Sequence, residues 1–395
     1  MKVKHLQHAL DTEGPLSGPG FQPHTLLLLG AGHAHVHVLA QLAKEPLVGV
    51  QVVLVAPYPR QLYSGMVPGM VAGHYAIDDC AIALAELVRR AGVRWLQASV
   101  TDFNADARMV RLDNGMELPF DWASLNTGPV QDREQIEAAM PGARTHALFL
   151  RPIEGFAALW PRVAAMGDER ALRMAVIGGG AGGIELAMAL QQRLPRSAVT
   201  LVSGDHPPGA NYPESVQTRI ARALKQRNIT VLQENATGFL DGEVLLSNGA
   251  RLACDVPLIA VGAHAPRWLQ DSALALDAQG FVLVNAFQQS TSHPHVFAVG
   301  DVCRRGDREL PRSGVYAVRS GPALMRNLAA LARNEPLHAH QPPARTLNLL
   351  SCGNRTAIAS WGQWSAQGRW VWWWKDRIDR RFLARYSVEA PAPAR

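Results

Sequence analysis

RMAVIGGGAGGIELA, residues 173–187, decides the fold. An apolar run ends in Gly178, and Gly178, Gly180 and Gly183 complete a G-x-G-x-x-G that opens into an apolar helical stretch carrying Glu185. Such a strand-to-helix turn brings backbone N–H groups and a helix N-terminus up to a pyrophosphate, an approach that side chains at these glycines would block. One such motif is weak evidence. A second stands upstream in TLLLLGAGHAH (25–35), with Gly30 and Gly32 directly after four leucines. A third signal, HVFAVGD (295–301), follows far downstream. Together the three describe a chain that binds two dinucleotides, one of them a flavin.

Composition bounds this reading. At 395 residues the chain exceeds one ordinary core, so two or three domains are expected. With 48% hydrophobic and 18% charged residues it is globular in composition. A net charge of +6 accommodates anionic partners, but no basic arm or nucleic-acid motif accompanies it, which excludes a nucleic-acid partner. The cysteines, at 80, 254, 303 and 352, have neither a CxxC nor metal-ligand spacing and read as cytoplasmic thiols. Residues 1–21 lack the apolar centre of a signal peptide and read as a disordered leader. The leucine run is too short to span a membrane.

The order of elements predicts the architecture. A strand at 25–29, a helix near 33–43 and a strand at 50–55 form a βαβ half, followed by a helix at 81–91, a strand at 93–97, a hairpin about Asn114-Gly115 and a strand at 122–126 ending in Thr127-Gly128. The pattern then restarts. Helix 154–166, strand 173–177, helix 182–193, strand 198–202, helix 214–227, strand 229–233, a hairpin about Asn248-Gly249 and strand 256–261 ending in Gly262 repeat the first half. FVLV (281–284) and HVFAVGD return to the first unit. The expected fold is therefore α/β: two Rossmann-like dinucleotide-binding domains, the NAD(P) domain (148–280) inserted in the FAD domain (22–147 and 281–335), with a C-terminal region at 336–395.

Each motif assigns residues to a site. Gly30 and Gly32 let the backbone approach the FAD pyrophosphate, while His35 takes the third-glycine position and Ala56 stands where a ribose-binding carboxylate belongs. Gly300 leaves room for the flavin, and Asp301 offers a carboxylate to a ribityl hydroxyl. Thr127, Gly128 and Val315 complete the FAD set. Val315 opens a predicted helix at 314–332 whose positive end faces the flavin. Gly178, Gly180, Gly183, Glu185 and Gly262 form the NAD(P)H set. Ser203 ends the strand 198–202 with Asp205 two residues on, so NADH and NADPH both stay open. His33 and His37 share a helical face but have no third ligand, and no metal is expected. Cys303 and Cys352 could meet in space as a redox pair. Six tryptophans, at 361, 364, 370 and 372–374, precede KDRIDRRFLARY, with five Lys/Arg against two Asp. Residues 370–386 thus suit either a lipid headgroup layer or a closing face of the flavin domain and a homodimer contact.

The pieces GAGHAHVHVL, YSGMVPGMVAGHY, VIGGGAGGIELA, HPHVFAVGD, GVYAVRSGP and RWVWWWKDRIDRRF resemble the FAD-dependent pyridine nucleotide-disulfide oxidoreductase superfamily. The resemblance is closest to the group associated with, and often fused to, selenide, water dikinase. More distantly the chain is similar to type II NADH dehydrogenases and sulfide:quinone reductases. The resemblance implies FAD, NAD(P)H as co-substrate and a quinone-like acceptor, with Tyr63, Gly65, Met66 and Pro68 near the flavin ring. The expected activity is an FAD-dependent NAD(P)H dehydrogenase in which the flavin supplies the chemistry and no catalytic side chain is required. It is expected in the cytoplasm, on the inner face of the membrane if 370–386 touches lipid. Two alternatives are a sulfur- or selenium-oxidising flavoprotein using Cys303 and Cys352, and a non-catalytic NAD(P)H sensor.

Overall fold

Leu26–Leu29 are at most 1% exposed, which an unbroken apolar strand achieves only in the middle of a sheet covered on both faces. A computed structural model, describing residues 23–310 and 313–387, places the strand there; the leader expected at 1–21 lies outside the described residues. Strand His24–Leu29 pairs in parallel with Val50–Val55 on one side and Trp122–Leu125 on the other. Arg94–Leu96 and Val296–Ala298 complete a five-stranded parallel sheet. In chain order its strands stand fifth, fourth, first, second, third. The order reverses between the first and the fourth, so a crevice opens beyond their carboxyl ends. Register Leu29↔Leu125 sets Gly30 beside Asn126 at that crevice.

The second sheet repeats the arrangement. Leu148–Phe149, Val256–Ile259, Arg173–Ile177, Ala198–Val202 and Thr230–Leu232 lie parallel in that spatial order. Ile177 is opposite Ile259, which brings Gly178 to Ala260 and makes a second crevice. All of its strands fall between residues of the first sheet, so the chain leaves that sheet after 125 and returns at 296. Antiparallel hairpins form where the Asn-Gly pairs predict them: Met109–Leu112 with Glu117–Pro119, and Glu243–Leu246 with Arg251–Ala253.

Two expectations change. Residues 133–146, assigned to the first unit, pack on the second: Ile136, Met140 and Ala143 share a cluster with Phe149, Ile177 and Phe239. Phe239 N also donates to Pro141 O at 2.8 Å. Their helices, Arg133–Ala139 and Ala143–His146, are too short for periodicity to reveal a partner face. The helix expected at 81–91 begins at Leu84, because Ala81–Ala83 pairs instead with Arg60–Leu62.

The C-terminal region forms an antiparallel sheet, Asn348–Ser351, Ala357–Trp361 and Trp364–Gly368, followed by helix Arg369–Ala384. Val371, Lys375, Asp379, Phe382 and Leu383 recur at helical spacing and are buried. The other face exposes Trp370 (56%), Trp373 (72%), Trp374 and Ile378, and Trp361 and Trp364 are exposed nearby. Among the described residues no helix is long and apolar enough to cross a membrane.

Candidate active site at two adjoining clefts

At the first crevice lies a cleft of about 440 Å³, lined by Gly30, Gly32, Thr127, Gly128, Asp301, Gly314 and Ala317. Asn126 builds its floor. Its Oδ1 accepts from the backbone N–H groups of Ala34 and His35 at 3.0 and 3.1 Å, and its Nδ2 donates to Val299 O at 2.8 Å. One side chain thus ties together the glycine turn, the strand end and the chain entering Gly300-Asp301. Gly32 is dictated by it, since an added Cβ would stand 2.4 Å from Asn126 Oδ1.

His35 does not line this cleft. It is fully buried, with Nδ1 2.6 Å from Gly30 O and Nε2 2.8 Å from Ser124 Oγ. Burial holds its pKa down at about 4, so the ring is neutral and its nitrogens serve the protein. It braces the turn where a third glycine would let helix and strand touch. The three histidines diverge: His37 Nδ1 lies 3.3 Å from Tyr386 Oη, and the His33 ring packs on Tyr63 and Phe382. His33 lines the cleft with Nε2 buried and unpartnered among the described residues, its pKa lowered to about 4 by burial and by Arg151.

Charge in the cleft is arranged around Asp301. The Arg151 guanidinium is the cation it supports: burial lowers the Arg151 pKa and Asp301 opposes that. Helix Gly314–Ala332 directs its N-terminus at the same space through Gly314 and Ala317; Val315 sits in that first turn without lining the cleft. Ser313, its N-cap, keeps a buried Oγ without a partner among the described residues. Gly300 packs against the floor of the cleft, where an added Cβ would stand 2.9 Å from Asn126 Nδ2 and 3.4 Å from Ala317 Cβ. These donors, the orphaned polar atoms and the helix end fit the diphosphate and polar chain of a flavin dinucleotide.

A second cleft of about 280 Å³ adjoins the first, sharing Ser64, Arg151 and Ile153 with it. Pro68, Glu185, Gly262 and Gly182 line it. The glycines of this turn divide in role. A Cβ on Gly183 would meet Gly178 O at 1.9 Å, so Gly183 is required for helix to touch strand. Gly178 has φ +129 and packs on Ala260 and Val261. At Gly180, with φ −77 and ψ 178, a Cβ would meet nothing within 4 Å. Among the described residues, packing gives no reason for a glycine there.

Glu185 accepts from Ser351 N at 2.6 Å, and burial pushes its pKa up to about 7 against the pull of Lys375 and that bond. Lys375 Nζ donates to Gly65 O and to Asp379 Oδ2, both at 2.6 Å, deep under the C-terminal helix. Tyr63 stacks on Phe382 at 4.7 Å, and burial with Asp379 nearby raises its pKa. The segment Tyr63–Pro68, expected as a loop, is a helical turn (Ser64–Met66) running into a short helix (Val67–Val71), and it is held from behind by the C-terminal helix. Met66 is buried beneath it.

The four cysteines are free. Cys303 donates to Ala298 O and Gly300 O and packs with the first sheet, whereas Cys352 lies in a different cluster under the C-terminal sheet, its pKa pushed up to about 11 by burial. That separation does not support a thiol relay.

Comparison with known proteins agrees with the geometry. Residues 24–321 match the family model for pyridine nucleotide-disulphide oxidoreductases. Demethylphylloquinone reductase NdbB of Synechocystis is 27% identical over 290 residues, covering 70% of this chain and 71% of the relative. The ferredoxin–NAD(+) reductase component of the Pseudomonas putida p-cumate 2,3-dioxygenase system is 28% identical, covering 70% and 67%. Sulfide:quinone oxidoreductase of Aquifex aeolicus superposes with a TM-score of 0.75 at 16% identity, covering 92% of this chain and 91% of that one. NDH2 of Plasmodium falciparum gives 0.74 at 13%, covering 92% and 97%. Two parallel-sheet crevices meeting at one wall, with that match across three quarters of the sequence, place the chain in the pyridine nucleotide-disulphide oxidoreductase family, whose members bind FAD and use NAD(P)H.

Proposed function

We propose that this protein is an FAD-dependent NAD(P)H dehydrogenase that passes electrons to a quinone at a membrane surface. The observation that carries the reading is the wall of Ser64, Arg151 and Ile153 common to both clefts. A nicotinamide and a flavin ring must meet for hydride transfer, and adjoining clefts bring them together. In this reading residues 22–147 and 281–335, less the segment 133–146, hold FAD, and 148–280 hold NAD(P)H. Bound there, FAD would supply the hydride and electron chemistry that side chains cannot. The chain's own part is to hold the rings together, with Asp301 and Arg151 anchoring the flavin and the helix end at Gly314 favouring negative charge beside it.

The acceptor side rests on the C-terminal helix. Its buried face holds the Tyr63–Pro68 segment, while its outer face presents Trp370, Trp373 and Trp374 beside Arg377 and Arg381. Exposed indoles among cations suit the headgroup layer through which a lipid-soluble quinone is reached. NdbB is by its name a demethylphylloquinone reductase, which supports this choice. The finer placement, beside selenide, water dikinase-associated members, rests on the motifs from GAGHAHVHVL to RWVWWWKDRIDRRF. Steady-state turnover with NADH and NADPH tests the reading, comparing a quinone, a ferredoxin and an inorganic sulfide with and without anionic vesicles. Quinone reduction stimulated by vesicles is expected; turnover with the ferredoxin alone would overturn the acceptor.

A further inference from the structure

The sequence leaves the choice between NADH and NADPH open because Ser203, not a carboxylate, ends the strand Ala198–Val202. The adenosine ribose lies beyond that strand end in this fold, and the structure shows what stands there. The Ser203 hydroxyl is committed elsewhere, donating to His206 O at 2.9 Å. Its backbone packs under the glycine turn, where a Cβ on Gly179 would stand 2.9 Å from Ser203 O. Gly209 N donates to Gly179 O at 2.8 Å, so residues 203–209 wrap the turn that would cradle the pyrophosphate.

Asp205 sits on this wrap. Gly204 turns the chain at φ +78 and donates to Glu234 O at 3.0 Å. Asn235 Nδ2 then grips Asp205 Oδ1 at 2.5 Å, which fixes the carboxylate at the rim while leaving it exposed. Glu234 adds a second negative charge, held by Ser247 Oγ and Asn248 Nδ2. The loops 203–212 and 233–236 contain no Lys or Arg. A 2′-phosphate brings nearly two negative charges and needs a cation there. A free 2′-hydroxyl needs an acceptor.

Resting on the coenzyme reading of the second glycine turn, we infer that Asp205 makes this site selective for a dinucleotide with a free 2′-hydroxyl, NADH over NADPH, with Asn235 as its positioning residue. The test is calorimetric titration of the FAD-loaded protein with ADP-ribose and with its 2′-phosphate, neither of which can reduce the flavin. ADP-ribose is expected to bind at least about tenfold more tightly, a margin that shrinks as salt screens the exposed carboxylates. Asp205→Ser should bring the two affinities together, mainly by improving the 2′-phosphate. Asp205→Asn keeps an acceptor for Asn235 and removes the charge, so it should do the same. Asn235→Ala should narrow the margin less. Retained FAD and an unchanged melting temperature confirm that these surface variants fold. Equal binding of the two ligands by the parent protein, or a margin indifferent to Asp205→Ser, would overturn the selectivity alone. Binding of neither ligand would remove the coenzyme reading and this inference with it.

Discussion

Replacing Gly180 and Gly183 in turn should separate what the second turn does for the fold from what it does for the ligand. At Gly183 a Cβ must find room where Gly178 O stands 1.9 Å away, more than 1 Å inside normal contact. Helix Ala181–Arg193 would have to lift from the sheet, and overpacking of this kind costs about 1–3 kcal/mol. Gly183→Ala should therefore lower the melting temperature by several degrees, at about 2–4 °C per kcal/mol. At Gly180 a Cβ meets open space and the backbone is extended, so a side chain can be added there without backbone strain. Gly180→Ala gives up a little as an N-cap and gains about 0.4–1 kcal/mol from a stiffer unfolded chain, leaving stability within about 0.5 kcal/mol. Gly180→Val should melt like the parent, keep its FAD in the other cleft and lose ADP-ribose binding. Thermal melts, flavin content and calorimetry on the three variants measure this. A Gly180→Val protein that binds ADP-ribose normally, or melts as low as Gly183→Ala, refutes the division of roles.

Other expectations follow from the same geometry. Asp301→Ala should weaken FAD about tenfold to hundredfold, the worth of a charge-assisted hydrogen bond, in a fluorescence titration of flavin-free protein; unchanged affinity removes Asp301 from the site. Glu185 keeps its proton to about pH 7 when folded against an ordinary value of 4.5, so its contribution is most favourable below pH 4.5 and is lost as pH rises through 7. Denaturant melts should thus find Glu185→Gln gaining up to about 3 kcal/mol on the parent between pH 5 and pH 8, and a pH-independent difference contradicts the burial. Lys375→Met leaves Asp379 buried without its cation and should cost about 3–5 kcal/mol, while adding Asp379→Leu should restore most of it; equal loss in both variants would show that packing, not charge, is at stake. Sedimentation with anionic vesicles should fall with salt and on replacing Trp370, Trp373 and Trp374 by Ala, and indifference to both would make that face a protein contact.

The fold was legible because its signals are local. Leu26–Leu29 and Met174–Ile177 are runs whose neighbours in sequence are also the residues that make the turn. The echo of one half in the other shows as a repeated order of strands, glycines and Asn-Gly hairpins. The residues that escaped act over long distances. Asn126 is a lone polar residue at a strand end, and only its bonds to Ala34, His35 and Val299 give it meaning. Its one sequence signal is position, directly before the Thr127-Gly128 that was assigned. Arg151 follows a two-residue strand that carries no periodicity. Lys375 and Asp379, four apart on a tryptophan-rich helix, look like a solvated ion pair until Gly65 O is found 2.6 Å from Nζ. His35 is the opposite case: its place in the motif is local, but its partner Ser124 lies 89 residues away.

Anaerobic stopped-flow mixing of the FAD-loaded protein with NADH, followed by a second mix with a quinone, tests the central claim most directly. NADH should bleach the flavin band in a saturable step, NADPH should do so at far lower affinity, and the quinone should restore the band fast enough to sustain turnover. A flavin that NADH leaves oxidised would contradict the meeting of the two clefts. One that NADH reduces and no quinone reoxidises would contradict the proposed acceptor.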